Sequence, residues 1–211
     1  AESKFIITAD ESGRGGKNVP LKKNADIALY RAKADGRGVY RFFEPEMDET
    51  ARARRILELE LRAALTREEF EVFYQPIIDI KTGKPASYEA LLRWRHPQRG
   101  MVSPAEFIPV AEEMGLIVDI GNWVLRKACS DCTIWPSDIR VAVNLSPLQF
   151  RRTNVVTVVA DALKETGLAP HRLELEITES VLMDDTEAAG VALQQLRDLG
   201  VTTALDDFGT G

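Results

Sequence analysis

Alternation of apolar and polar positions with a period of two runs through several short stretches of this chain. In Tyr88-Glu89-Ala90-Leu91-Leu92-Arg93-Trp94 it predicts a buried strand on which Glu89, Leu91 and Arg93 share one face. Three downstream stretches repeat the pattern, each ending in oxygen-bearing side chains. They are Ile139 to Ser146, with Asn144; Leu173 to Glu179, with Glu176 and Glu179; and Val201 to Asp207, with Asp206 and Asp207. Asn144 falls in phase with Ala142, Glu176 with Thr178, and Asp206 with Thr202 and Ala204. Val141, Val143, Leu173, Leu175, Ile177 and Leu205 take the opposite faces, which suit packing against helices. The polar tips are therefore expected on one side of one sheet.

Upstream, Val72 to Ile80 reads as a further strand. The turn Lys81-Thr82-Gly83-Lys84 joins it to the Glu89 strand, so the two are expected to pair antiparallel. Helical periodicity is predicted over Pro104 to Gly115, opened by Ser103 and Glu106 as a capping box, and over Asp119 to Cys132. Strand 139–146, helix 154–167, strand 172–179, helix 186–199 and strand 201–207 then alternate, which implies a parallel sheet.

The N-terminal side is organised differently. Phe5 to Thr8 reads as a short strand and a Gly- and Lys-rich loop comes after it. Asn24 to Ala34 reads as a helix stopped by Gly36 and Gly38, with Val39 to Phe43 a brief strand. Pro45 to Asp48 reads as a hinge. Glu49 to Thr66, rich in Ala, Leu, Arg and Glu, reads as a partly solvated connecting helix. The expected fold is α/β: an incomplete TIM-like β/α barrel whose first strand is antiparallel, preceded by a linker helix and a small α/β remnant. The expected divisions are 1–47, 48–66 and 67–211.

With 45% hydrophobic and 28% charged residues, the composition is that of a globular chain able to bury a core. The net charge of −6 disfavours a general nucleic-acid surface, although a nucleotide pocket needs only a few local cations. No run of about 18 apolar residues marks a membrane span, and no secretory signal opens the chain. It begins with Ala1, as a piece of something longer would. The two cysteines, Cys129 and Cys132, have the spacing of half a zinc or redox pair but no second pair. They are expected to be half-buried helix residues.

Carboxylates and an amide at the strand ends are hard oxygen donors suited to Mg²⁺ or Mn²⁺, and no His or Cys joins them. Adjacent Asp206 and Asp207 repel each other unless a cation lies between or beside them. Splayed by the turn at Gly209, they could serve two metals. Each strand end alone could be a surface charge, a turn or a cap; four in phase on one face point to a shared site.

Taken in order, Glu89-Ala90-Leu91 with Arg93, Asn144-Leu145-Ser146, Glu176-Ile177-Thr178-Glu179 and Asp206-Asp207-Phe208-Gly209 resemble the bacterial EAL phosphodiesterases, from about residue 52 onward. The resemblance implies a barrel with an antiparallel first strand that linearises cyclic di-GMP to pGpG, through a metal-activated water attacking phosphorus. It implies metal ligands at Glu89, Asn144, Glu176 and Asp206, with Asp207 serving a second Mg²⁺ or Mn²⁺. Glu179 is implied to steady an active-site loop, Arg93 to hold a phosphate and Gln75, in Tyr74-Gln75-Pro76, to contact substrate. Asn24 to Lys33 with Gly36-Arg37-Gly38 resembles the last helix and strand of a diguanylate cyclase (GGDEF) domain. The Gly-Gly-Asp-Glu-Phe motif itself is absent.

Family members continue with a catalytic Lys and further acids, whereas this chain stops at Gly211. The 211-residue stretch alone is therefore expected to be inactive. The alternative reading is a non-catalytic cyclic di-GMP receptor. Expected partners are cyclic di-GMP and a second copy through the EAL domain or linker helix, with no nucleic-acid polymer; the implied location is cytoplasmic. Two physical expectations complete the picture. Arg140 and Glu174, in the inward phase below the site, should find counter-charges. An unclosed sheet, with Leu91, Ala142 and Ala204 uncovered, should promote edge-to-edge association.

Overall fold

The alternating stretches form one six-stranded sheet in a computed structural model of the chain, which describes residues 45–178 and 186–206 together with 28, 29, 32 and 181. For residues 45–51, 186 and 206 only the backbone is described. The chain divides into two compact units, residues 1–59 and 60–211. Positions 28, 29 and 32 are helical, and the rest of residues 1–44, within the small N-terminal α/β piece expected over 1–47, lies outside the described residues.

Helix α1, Pro45–Ala64, runs through the division between the units. The expected hinge at Pro45–Asp48 is instead its first turn, where proline is tolerated because no intrahelical donor is needed there. Within the second unit Leu61 and Ala64 are buried on one side of α1. Glu60 Oε1 lies 3.5 Å from His96 Nε2. The other ring nitrogen of His96 accepts the backbone N–H groups of Gln98 at 3.2 Å and Arg99 at 3.1 Å, which ties the turn after the Glu89 strand.

Strands β1, Phe70–Ile78, and β2, Pro85–His96, form the predicted antiparallel hairpin. Asp79 Oδ1 accepts the N–H groups of Lys81 and Thr82 at 2.8 and 2.9 Å, an Asx turn that holds this carboxylate below its usual range. A three-residue strand β3, Gly100–Val102, returns along β2; it is too short to carry a readable alternation. Helices α2, Pro104–Met114, and α3, Ile117–Thr133, come next. Ser103 occupies the α2 N-cap position but its side chain makes no capping bond. Glu106, expected to complete a capping box, is engaged by Arg99 at 3.1 Å instead.

The parallel series is β4, Arg140–Leu145; β5, Leu173–Thr178; and β6, Thr202–Asp206. Between them lie the short helix α4, Pro147–Arg152, helix α5, Val155–Thr166, and helix α6, Thr186–Asp198. Asn154 caps α5 by accepting Thr157 N–H at 3.2 Å, and Gly167, at φ 74°, ends it in the left-handed region. The sheet order is β1-β2-β4-β5-β6, with β3 beside β2, and among the described residues the sheet is not closed into a cylinder.

The helix-facing side carries the core. Val141, Val143, Leu173, Leu175 and Ile177 are all buried, as their phase predicts. Leu205, assigned to the same side, is 49% exposed: among the described residues its strand has a neighbour on one flank only. Phe70, Trp94, Phe107 and Trp123 form an aromatic cluster, with Trp94 edge-on to Phe107 at 5.6 Å between centroids. Arg172, 8% exposed, donates to the carbonyls of Cys132 and Pro136 at 2.9 Å and of Ile139 at 2.9 Å. One planar guanidinium thus satisfies the end of α3 and the loop that leads into β4.

On the other side Arg140 Nη1 lies 3.1 Å from Glu174 Oε2, the expected pairing. Ala142 is fully buried, flanked in register by Glu89 and Glu174, rather than uncovered as expected. Among the described residues, β1 and the turn after it expose a run of apolar side chains: Phe73, Ile77, Ile78 and Ile80.

Candidate functional site

Strand register decides which side chains meet. In β1–β2, Gln75 stands directly opposite Glu89, Phe73 opposite Leu91 and Glu71 opposite Arg93, so all six share one face. In the parallel part, Glu89 is beside Ala142, Asn144 beside Glu176, Glu176 beside Ala204, and Asp206 beside Thr178. Gln75, Glu89, Asn144, Glu176 and the Asp206 position therefore lie on one face, stepping toward the C-terminal ends of the parallel strands. Adjacent strands are about 4.8 Å apart, which brings such neighbours within reach of a common small ligand.

The first contact across this face is made. Asn144 Nδ2 donates to Glu89 Oε1 at 2.8 Å, although Asn144 is exposed and Glu89 only partly covered. Arg93 reaches the rim differently. Its Nη1 donates to the Leu92 carbonyl at 2.9 Å, and its guanidinium carbon lies 5.7 Å from the centre of the Phe73 ring. The carboxylate across from it, Glu71, is taken by Arg95: the Nε–Oε1 contact is short and Nη2–Oε2 is 3.0 Å. That fork holds the Glu71 carboxyl below its ordinary range. Among the described residues Arg93 has no carboxylate partner, so its charge is available to an anion.

The donor chemistry of this face fits a hard divalent ion. Glu89, Asn144 and Glu176 offer oxygen, and His96, Cys129 and Cys132 are buried away from it. Among the described residues no three His, Cys, Asp or Glu side chains gather in one metal-binding cluster. The side chain of Asp206, and all of Glu179 and Asp207, lie outside the described residues.

Three supporting features are not among the sequence expectations. Phe73 and the Glu71–Arg95 fork depend on hairpin register, which the turn signal alone does not specify. The third is α4, which begins at the Ser146-Pro147 step two residues past Asn144. Ser146 reads in the sequence as the end of a strand, yet it accepts Leu148 N–H at 3.3 Å and forms a full capping box with Gln149. Serine before proline at the first helical position is the signal that could have found it.

No described helix is long and apolar enough to cross a membrane. An EAL domain model matches residues 58–211. The chain is 54% identical, over 90% of its length, to an uncharacterised signalling protein of Caulobacter vibrioides, covering 24% of that protein. It is 45% identical, over 94% of its length, to MucR of Pseudomonas aeruginosa, a bifunctional diguanylate cyclase/cyclic di-GMP phosphodiesterase, covering 30% of it. The chain thus spans about a quarter of the length of these curated relatives. The solved MucR phosphodiesterase in complex with c-di-GMP superposes with a TM-score of 0.71 at 46% identity, over 74% of this chain and 65% of that one. The hairpin-then-parallel sheet is the fold of these relatives, and this chain belongs to the EAL domain family.

Proposed function

We propose that the full-length protein carrying this chain hydrolyses cyclic di-GMP to linear pGpG in a reaction that depends on Mg²⁺ or Mn²⁺. The observation that carries the proposal is the Asn144–Glu89 contact of 2.8 Å on the face shared with Gln75, Glu176 and the Asp206 position. MucR, named as a cyclic di-GMP phosphodiesterase, supports the choice of substrate.

Glu89, Asn144, Glu176 and Asp206 would hold the ion, with Asp207 serving a second. When bound, a divalent ion acidifies a water and offsets charge developing at phosphorus. Arg93 binds a phosphate oxygen through its guanidinium, made available because Arg95 occupies Glu71. Gln75, opposite Glu89, offers amide donors and an acceptor to the nucleotide. Glu179 is assigned to steadying the loop after β5.

The test is product analysis after incubating the full-length protein with cyclic di-GMP and either metal. Conversion to pGpG is expected. Tight binding with the cyclic dinucleotide left intact would identify a receptor instead, and neither binding nor conversion would reject the substrate.

A further inference from the structure

Asn144 is exposed at a strand end, so its own side chain packs against too little to fix its direction. The next residues along the chain are held firmly. Leu145 is buried, and Ser146 N–H donates to Gln149 Oε1 at 3.1 Å. Ser146 Oγ–H donates to Glu112 Oε1 on α2 at 2.7 Å. Gln149 is 2% exposed, an uncommon burial for a glutamine, and its Nε2 donates to Asn122 Oδ1 on α3 at 3.4 Å. Its amide fits there because position 121 has no side chain. A Cβ on Gly121 would lie 2.5 Å from Oε1 and 2.6 Å from both Cδ and Nε2 of Gln149.

We infer that Gln149, seated against Gly121, is a positioning residue for Asn144, rigidly docking the β4–α4 corner on α2 and α3. The inference rests on Asn144 belonging to the site proposed above. The amide group of Gln149 satisfies the Ser146 N–H, and the packing of that amide on α3 fixes where β4 ends. The end of β4 in turn sets the Asn144 side chain against Glu89.

The close approach supplies a selective probe. In Gly121→Ala the methyl group displaces the far end of a flexible side chain rather than backbone. The same substitution gives α3 a better helix former than glycine. A purely structural role for Gly121 predicts a change confined to thermal stability, the lost hydrogen bonds of the buried amide outweighing the gain in helix propensity, with no effect at Asn144. A positioning role predicts a displaced Asn144 in the folded protein, whatever the change in melting temperature.

The readout is the pair of side-chain amide ¹⁵N–¹H signals of Asn144 in the metal-free full-length protein, assigned by their loss in Asn144→Asp. In Gly121→Ala and in Gln149→Ala they should move toward the position they take in Glu89→Ala. The double variant should show no larger shift than either single one, since both changes remove the same contact. Signals unmoved in both single variants would overturn the inference, and Gln149→Ala decides alone if Gly121→Ala does not fold. Adding Mn²⁺ to the original protein then tests the underlying site separately. Broadening of the Asn144 signals is expected, and its absence would reject the metal site while leaving the positioning result standing on the metal-free spectra.

Discussion

Asn144 Nδ2 meets Glu89 Oε1 at 2.8 Å, joining side chains that are 55 positions apart in sequence. The contact exists because β2 and β4 are parallel neighbours in a register that sets Glu89 beside Ala142. Asn144 is then the next residue on that face, one step nearer the strand ends. The candidate site is thus built from strand order and phase, with side chains that are individually ordinary.

Arg93 is expected to act through binding. Arg93→Ala in the full-length protein should raise KM for cyclic di-GMP by about 10- to 100-fold, the worth of a charge-assisted hydrogen bond, and lower kcat much less. Arg93→Lys should recover part of the loss. Steady-state kinetics at saturating metal is the check. An unchanged KM would remove Arg93 from the phosphate.

Arg172 is expected to matter for folding alone. Its guanidinium satisfies the carbonyls of Cys132, Pro136 and Ile139, which are left without that donor in Arg172→Ala. The cost should be about 2–4 kcal/mol in chemical denaturation. Arg172→Lys should restore little, because an ammonium cannot reproduce the planar fork. A loss below about 1 kcal/mol would show that water takes over those carbonyls.

Burial pushes the Cys129 thiol up to about 12, with nearby Cys132 adding to the shift. The native state therefore keeps its proton where the unfolded chain has lost it. The contribution to stability is intact below the ordinary thiol range, near 9.0, and is lost as pH rises from there toward about 12. Denaturation midpoints across that interval should fall, and should fall less in Cys129→Ala once its cavity cost is subtracted. At pH 8 a thiol reagent should label Cys129 only on unfolding. Rapid labelling of the native protein would contradict its burial.

The edge strand β1 exposes Phe73, Ile77 and Ile78, with Ile80 in the turn beyond. The 211-residue chain by itself is expected to self-associate through that edge. Size-exclusion chromatography with light scattering decides, and replacing Ile77 and Ile78 with threonine should shift the population toward monomer. A sharp monomer peak for the unmodified chain would show that the edge is covered.

Much of this architecture is legible in the residues because the signals are long or repeated. The buried phase of Val141, Val143, Leu173, Leu175 and Ile177 comes from alternation alone. The hairpin comes from Gly83 between two apolar runs, and the Arg140–Glu174 pair from a shared phase on neighbouring strands. The misses fall where local pattern has no grip. Leu205 alternates like a core residue, but its strand ends the sheet among the described residues, and that governs its burial. Ser103 and Glu106 have capping-box spacing, yet Arg99, brought near by β3, competes for the carboxylate. Gln149 against Gly121 requires two helices to dock before either residue has meaning.

The site itself is readable only as phase. Alternation sets Glu89, Asn144, Glu176 and Asp206 on one face, but it cannot set β2 beside β4, and strand order is what lets Asn144 touch Glu89.

The most direct test of a shared metal site is Mn²⁺ binding by the full-length protein, measured by electron paramagnetic resonance titration. The original protein should bind with saturable stoichiometry. Glu89→Ala and Asn144→Ala should each weaken binding by at least about tenfold, the loss typical of disturbing a metal's ligand sphere, while their thermal melts stay close to the original. Undiminished Mn²⁺ affinity in both variants would contradict the claim that these strand ends form one metal site.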